Sequence, residues 1–268
     1  MGAERMSHSI SSPVPLNRVP RVTVDFWLIK LMAVTMGETA ADYLAVNMGL
    51  GLTTTSLIMS AVLVVALALQ FAQKRYVPWT YWLAVVLISV VGTLVTDNLV
   101  DNLGVALETN TVAFAVVLAL TFAVWYGFEQ TLSIHSIYTT RREAFYWLAI
   151  LFTFALGTSA GDLVAEKFEF GYLTTAILFA VVIGAIAAAY YVLKLNAIAA
   201  FWLAYILTRP MGASIGDLLS QPREYGGLGF GTIVTSLLFL GVIIATVIYM
   251  SFRYQPEEAL LPKASATQ

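Results

Sequence analysis

Residues 147–162 read WLAILFTFALGTSAGD: a tryptophan, a glycine ten positions on, and an aspartate fifteen positions on. The same spacing recurs at Trp27/Gly37/Asp42, Trp82/Gly92/Asp97 and Trp202/Gly212/Asp217. With Trp147/Gly157/Asp162 that makes four copies, and a spacing repeated at fixed intervals is the mark of a repeat architecture. Each marked segment is followed by a second, more uniformly apolar run. The repeats fall at about 23–76, 77–141, 142–196 and 197–253.

These runs dominate a chain of 268 residues that is 59% apolar and 11% charged, with mean hydropathy +0.82. An ordinary soluble chain carries about a quarter charged residues, so this one cannot cover a water-facing surface. Eight stretches, at 24–47, 54–73, 79–98, 111–129, 144–164, 172–193, 198–218 and 230–251, can each supply the roughly 20 residues that a hydrocarbon core requires. In lipid such stretches are helical, because open strands would leave backbone groups unsatisfied, and they lack the alternation of a barrel strand. The expected fold is an all-α membrane protein of eight transmembrane helices, built as four parallel two-helix repeats. It forms a single membrane domain over 23–253, with tails at 1–22 and 254–268. The absence of cysteine excludes disulfides and thiolate metal sites. The polar start has no apolar core and does not read as a cleavable signal.

An even number of spans puts both termini on one side. That side carries Lys74, Arg75, Arg141, Arg142 and Lys194, with Arg18, Arg21, Arg253 and Lys263 on the tails; the other carries Lys167 and Arg223. The positive-inside rule then makes both termini cytoplasmic, in a multi-pass protein of the inner (plasma) membrane. Asp101, Glu108, Glu166, Glu169 and Glu224 lie on the opposite side. They form either an acidic rim that concentrates cations or ordinary solvated loops.

Two helices per repeat return the chain to its starting side, so all four copies share one orientation. A ring about the membrane normal and a two-by-two stack both satisfy this. Gly37/Ala41, Gly92/Thr96, Gly157/Gly161 and Gly212/Gly216 are small residues four apart, a strip on which helix backbones approach closely. The tryptophans are expected as interfacial belt residues at the cytoplasmic end. The next residue after each strip is the repeated aspartate, about 100° around the helix.

With its W-x9-G-x4-D spacing unbroken in all four copies, the chain resembles a bacterial integral membrane family of four tandem two-helix repeats. Each repeat of that family carries a tryptophan and is catalogued as a repeat of unknown function. The resemblance covers about 22–252. It implies the fold and no activity, so function rests on the residues.

At about 1.5 Å per residue, each repeated aspartate lies roughly 22 Å along its helix from the tryptophan. Glu38 falls near mid-depth on the face of Asp42; its counterparts are Thr93, Thr158 and Ala213. A buried carboxylate costs at least about 2.5–3.5 kcal/mol unless neutralised or paired. Protonation, metal coordination and a cationic partner are the available remedies. The candidate metal ligands are Glu38, Asp42, Asp97, Asp162 and Asp217, an oxygen set that suits Mg²⁺ or Mn²⁺. The competing reading ties each aspartate to threonines or amides near the next helix, among them Thr53, Thr54, Thr109, Thr174, Thr175 and Thr232. Arg209 lies too deep to snorkel, and Glu38 is its obvious partner, either as a fixed ion pair or as an exchangeable counter-charge. Pro210 beside it is expected to kink the helix, whereas Lys30 is placed close enough to the interface to reach water. His8 and His135 fall in cytoplasmic segments, away from the site.

These residues point to a secondary transporter or permeation protein for a small cation, a divalent metal such as Mn or Mg, with proton coupling. The other reading is a non-transporting membrane scaffold or sensor subunit whose carboxylates lock the bundle. No nucleophile elbow, paired-histidine motif or nucleotide loop is present, so no enzymatic activity, resident cofactor or nucleic-acid partner is expected. The partners are membrane lipid and a cation.

Overall fold

The computed structural model describes residues 16–253. Residues 1–15 and 254–268, with most of the N-terminal tail, the whole C-terminal tail, His8 and Lys263, lie outside the described residues. The helices are α1 (Val24–Asp42), α2 (Leu52–Phe71), α3 (Pro78–Asp97), α4 (Leu107–Glu129), α5 (Thr140–Asp162), α6 (Tyr172–Val192), α7 (Ala197–Ser220) and α8 (Thr232–Arg253). Seven of them are long and apolar enough to cross a membrane. The exception by composition is α1, which carries Asp25, Lys30, Glu38 and Asp42 within 19 residues.

Local signals set the starts of the odd-numbered helices. Thr23 and Thr139 cap α1 and α5 by accepting from the amides of Phe26 and Arg142, each at 3.3 Å. Asn196 does the same for α7, at 2.9 Å from the Ile198 amide. Such caps satisfy amides that have no partner in the first turn, and Pro78, which has no amide hydrogen, opens α3. α7 stays helical through Pro210.

The odd-numbered helices form a closed inner ring, α1 packing on α3, α3 on α5, α5 on α7 and α7 back on α1. The even-numbered helices form an outer layer in which each packs on the inner helix of the following repeat: α2 on α3, α4 on α5, α6 on α7, and α8 back on α1. The ring therefore holds, and the two-by-two stack does not.

The repeated glycines explain why the ring closes so tightly. In each copy the residue seven positions after the tryptophan occupies the space beside the glycine of the preceding copy. A Cβ on Gly37 would overlap Ser89, one on Gly157 would overlap Arg209, and one on Gly212 would overlap Val34. On Gly92 it would sit 3.0 Å from Phe154 Cβ. The small-residue strip is thus a cyclic packing device.

The tryptophans are not belt residues. Trp82, Trp147 and Trp202 are buried and Trp27 is half-buried. Each is preceded by Phe26, Tyr81, Tyr146 or Phe201, and these aromatics pack on the tryptophan of the next repeat. Ring centres are 5.7 Å apart for Phe26–Trp82, 5.4 Å for Tyr81–Trp147, 6.2 Å for Tyr146–Trp202, and 5.7 Å for Phe201–Trp27. The result is an eight-membered aromatic girdle at one end of the ring, reinforced by the Tyr81–Tyr146 hydroxyl contact.

Candidate functional site

Equal spacing from each tryptophan puts related residues at the same depth, so the ring interior can be followed level by level. Three residues past the girdle tryptophan stand Lys30, Val85, Ile150 and Tyr205, all buried. Lys30 donates to the Tyr205 carbonyl at 2.7 Å and to the Thr208 hydroxyl, and its Nζ lies 4.2 Å from the centre of the Tyr205 ring. A carbonyl, a hydroxyl and an aromatic face here replace water around the ammonium. The expectation that Lys30 reaches the interface is overturned, because Lys30 is fully buried on the inner side of the girdle.

The next level holds Val34, Ser89, Phe154 and Arg209. Arg209 is fully buried. Its Nη2 makes an ion pair with Glu38 Oε2 at 2.8 Å and also donates to Thr93, and its Nη1 reaches the Val34 carbonyl at 3.4 Å. Thr93 Oγ1 donates to Glu38 Oε2 at 3.1 Å. The expected Glu38–Arg209 partnership is present. Thr93, the counterpart of Glu38 one repeat on, completes it.

Beyond this level come the repeated aspartates. In the first three copies the α-helix ends on the aspartate and passes into a π-helical turn, at Tyr43–Asn47, Asn98–Asn102 and Leu163–Lys167; the fourth has none and α7 runs on to Ser220. Asp42 accepts from Gln221 Nε2 at 3.3 Å. Asp97, Asp162 and Asp217 accept no hydrogen bond among the described residues, although Asp217 is 93% buried on a relative exposure of 7%. All four aspartates lie within electrostatic reach of Glu38, and each of Asp97, Asp162 and Asp217 also of Asp42.

The threonine ties expected for the aspartates are not formed: Thr53 donates to Asn98, and Thr232 to Asn47. Among the described residues no three Asp, Glu or His side chains are arranged to hold a metal ion. The four aspartates stand towards the end of the ring away from the girdle, beyond the level of Glu38, and among the described residues the five carboxylates form no chelating set.

Side clefts lie at the opposite, girdle end. One of about 700 Å³ is bordered by Trp27, Ile134, Tyr190 and Phe201, and a second of about 660 Å³ by Phe122, Tyr126 and Trp202. Neither borders any of the five carboxylates. The sequence reading missed Thr93 and Lys30 as members of the interior. The available signal was that both share a repeat position with a residue they touch, Glu38 and Tyr205.

The family model described as Repeat of Unknown Function (DUF347) matches residues 26–76, 80–131, 145–196 and 200–255. The chain belongs to that family, and each of the four matches takes in one girdle tryptophan and one ring aspartate. No curated protein and no solved structure matches the chain.

Proposed function

We propose that the protein is a non-transporting membrane scaffold or sensor subunit, multi-pass in a bacterial inner membrane, with the girdle end and both termini cytoplasmic. The orientation rests on the excess of Lys and Arg at the girdle end. One observation carries the functional reading. Glu38, the carboxylate nearest mid-depth, is tied at once to Arg209 and Thr93 in a ring whose girdle end is filled with aromatic side chains. Breaking a buried pair strands a charge, which ties this one to the packing, although Arg209 Nε has no hydrogen-bond partner among the described residues. The proposal includes no catalytic chemistry and no resident cofactor. It is tested in proteoliposomes with a panel of divalent cations and an imposed pH gradient. No ion movement is expected, and Glu38→Gln should lower thermal stability. Cation flux in the parent that disappears in Glu38→Gln would overturn it.

A second reading, proton-coupled transport of a divalent cation such as Mn²⁺ or Mg²⁺, is supported by a different observation. Among the described residues Asp97, Asp162 and Asp217 accept no hydrogen bond, yet they share the electrostatic neighbourhood of Glu38. Glu38 and the four aspartates would then be successive ligands, with Arg209 as the counter-charge. On this reading Glu38→Gln stops pH-coupled flux while leaving protein abundance intact.

A further inference from the structure

The segment before α1 makes its contacts on the opposite side of the ring. α1 begins at Val24, and α1 and α5 are not neighbours in the ring. Yet the Arg18 amide donates to the Ile137 carbonyl just before α5, at 2.9 Å, and the Arg18 guanidinium meets Glu143 of α5 at 2.7 Å. On the way the segment passes the start of α3, where the Tyr76 amide donates to the Asn17 carbonyl at 2.9 Å. The Asn17 side chain clamps the turn before α5, donating to Ile134 and accepting from the Ile137 amide, both at 3.0 Å. Residues 17–22 therefore cross the girdle end of the ring, with Val19 and Pro20 buried.

This crossing is joined to the girdle itself. Trp82 Nε1 donates to the Tyr76 hydroxyl at 3.1 Å, and Trp147 Nε1 to Glu143 Oε1 at 3.4 Å. Glu143 is fully buried; besides Arg18 and Trp147 it accepts from Gln70 Nε2 at 2.9 Å. Among the described residues, Arg18 is the cation paired with it. A six-residue segment without helical hydrogen bonds, held by contacts centred on Asn17 and Arg18 and by the burial of Val19 and Pro20, lies nearer the low-stability end of a structure than the helices it crosses.

We propose that residues 17–22 are a releasable strap closing the girdle end of the ring, with Arg18–Glu143 as its latch. When the latch parts, Val19 and Pro20 leave the core and the tryptophans bonded to Tyr76 and Glu143 are uncovered. The inference stands apart from the functional readings above, because it concerns access to the ring and not what the carboxylates bind.

The chain contains no cysteine, so single thiols can be placed without background. Val19→Cys reports the strap. Ile150→Cys, two turns beyond Glu143 on the same face of α5, reports the ring interior. Each is labelled with a polar maleimide in purified full-length protein. Both thiols should label slowly in the parent background. Adding Arg18→Gln should raise the rate at both by at least about tenfold, the factor set by one lost charge-assisted hydrogen bond; Arg18→Lys should restore much of the protection. Three results would overturn the proposal. Val19→Cys could stay protected with Arg18→Gln, so that the pair is no latch. It could label while Ile150→Cys stays protected, so that the strap closes nothing. Or Arg18→Gln could abolish folded protein, so that the segment is an inseparable part of the bundle.

Discussion

Arg209 and Glu38 meet at 2.8 Å across the closure of the ring, where the last repeat packs on the first. Their positions are not equivalent: Arg209 stands seven residues after its tryptophan, Glu38 eleven after its own. The glycine next to Glu38 explains the fit. Gly37 brings α1 so close to α3 that Thr93 reaches the same carboxylate from the second repeat. Three residues at two positions of the repeated frame thus build one polar contact that four identical copies could not.

Arg209→Met should destabilise the protein by about 3–5 kcal/mol, because it leaves Glu38 buried without its cation. Glu38→Met should cost a similar amount for the converse reason. The double variant should lose less than either single change, since it removes both charges together. Thermal unfolding of the three variants, followed by tryptophan fluorescence, checks the order.

Gly212→Ala should cost about 1–3 kcal/mol, because its new methyl overlaps Val34 of α1. Adding Val34→Ala should recover part of the loss by vacating that space. Gly184→Ala in α6, where nothing lies within 4 Å of the new methyl, should be neutral or slightly stabilising. The melting temperatures of these variants separate ring packing from helix propensity.

The repeats, the small-residue strip and the Glu38–Arg209 partnership were legible because each follows from spacing within one or two helices. The girdle was not. Nothing in a single repeat shows that Tyr81 will cover the tryptophan of the next copy; that requires the ring to be closed. The same gap misplaced Lys30. Counting three residues inward from Trp27 puts it near water only if the tryptophan marks the interface. Residues 17–22 and the girdle instead displace that boundary outward. The aspartates stand at the end away from the tryptophans, as fifteen residues of helix require, but of the expected threonine partners Thr53 bonds Asn98 and Thr232 bonds Asn47. The π-helical turns after Asp42, Asp97 and Asp162 redirect the chain there, and no residue pattern announced them.

Trp82→Ala should destabilise by about 3–5 kcal/mol, the range for deleting a large buried aromatic. Trp79→Ala, only three residues earlier but 53% exposed, should change stability by less than about 0.5 kcal/mol. Chemical denaturation in detergent micelles distinguishes a girdle tryptophan from a surface one. Equal losses at both positions would mean that the girdle contributes no more than its surroundings.

The repeated aspartates should respond far less than Glu38. Glu38 has a cation and a hydroxyl to lose, so Glu38→Gln removes favourable contacts. Asp97 and Asp162 accept no hydrogen bond among the described residues and lie within electrostatic reach of Glu38 and of Asp42. Asparagine at either place keeps the size of the side chain and removes none of the contacts that Glu38 makes with Arg209 and Thr93. In the presence of a chelator, Asp97→Asn and Asp162→Asn should therefore leave stability within about 0.5 kcal/mol of the parent. Repeating the unfolding with Mn²⁺ or Mg²⁺ then separates the two functional readings. A cation that binds only the folded state stabilises it by mass action, and that increment should vanish in the asparagine variants. A locked scaffold should melt at the same temperature with and without the ion.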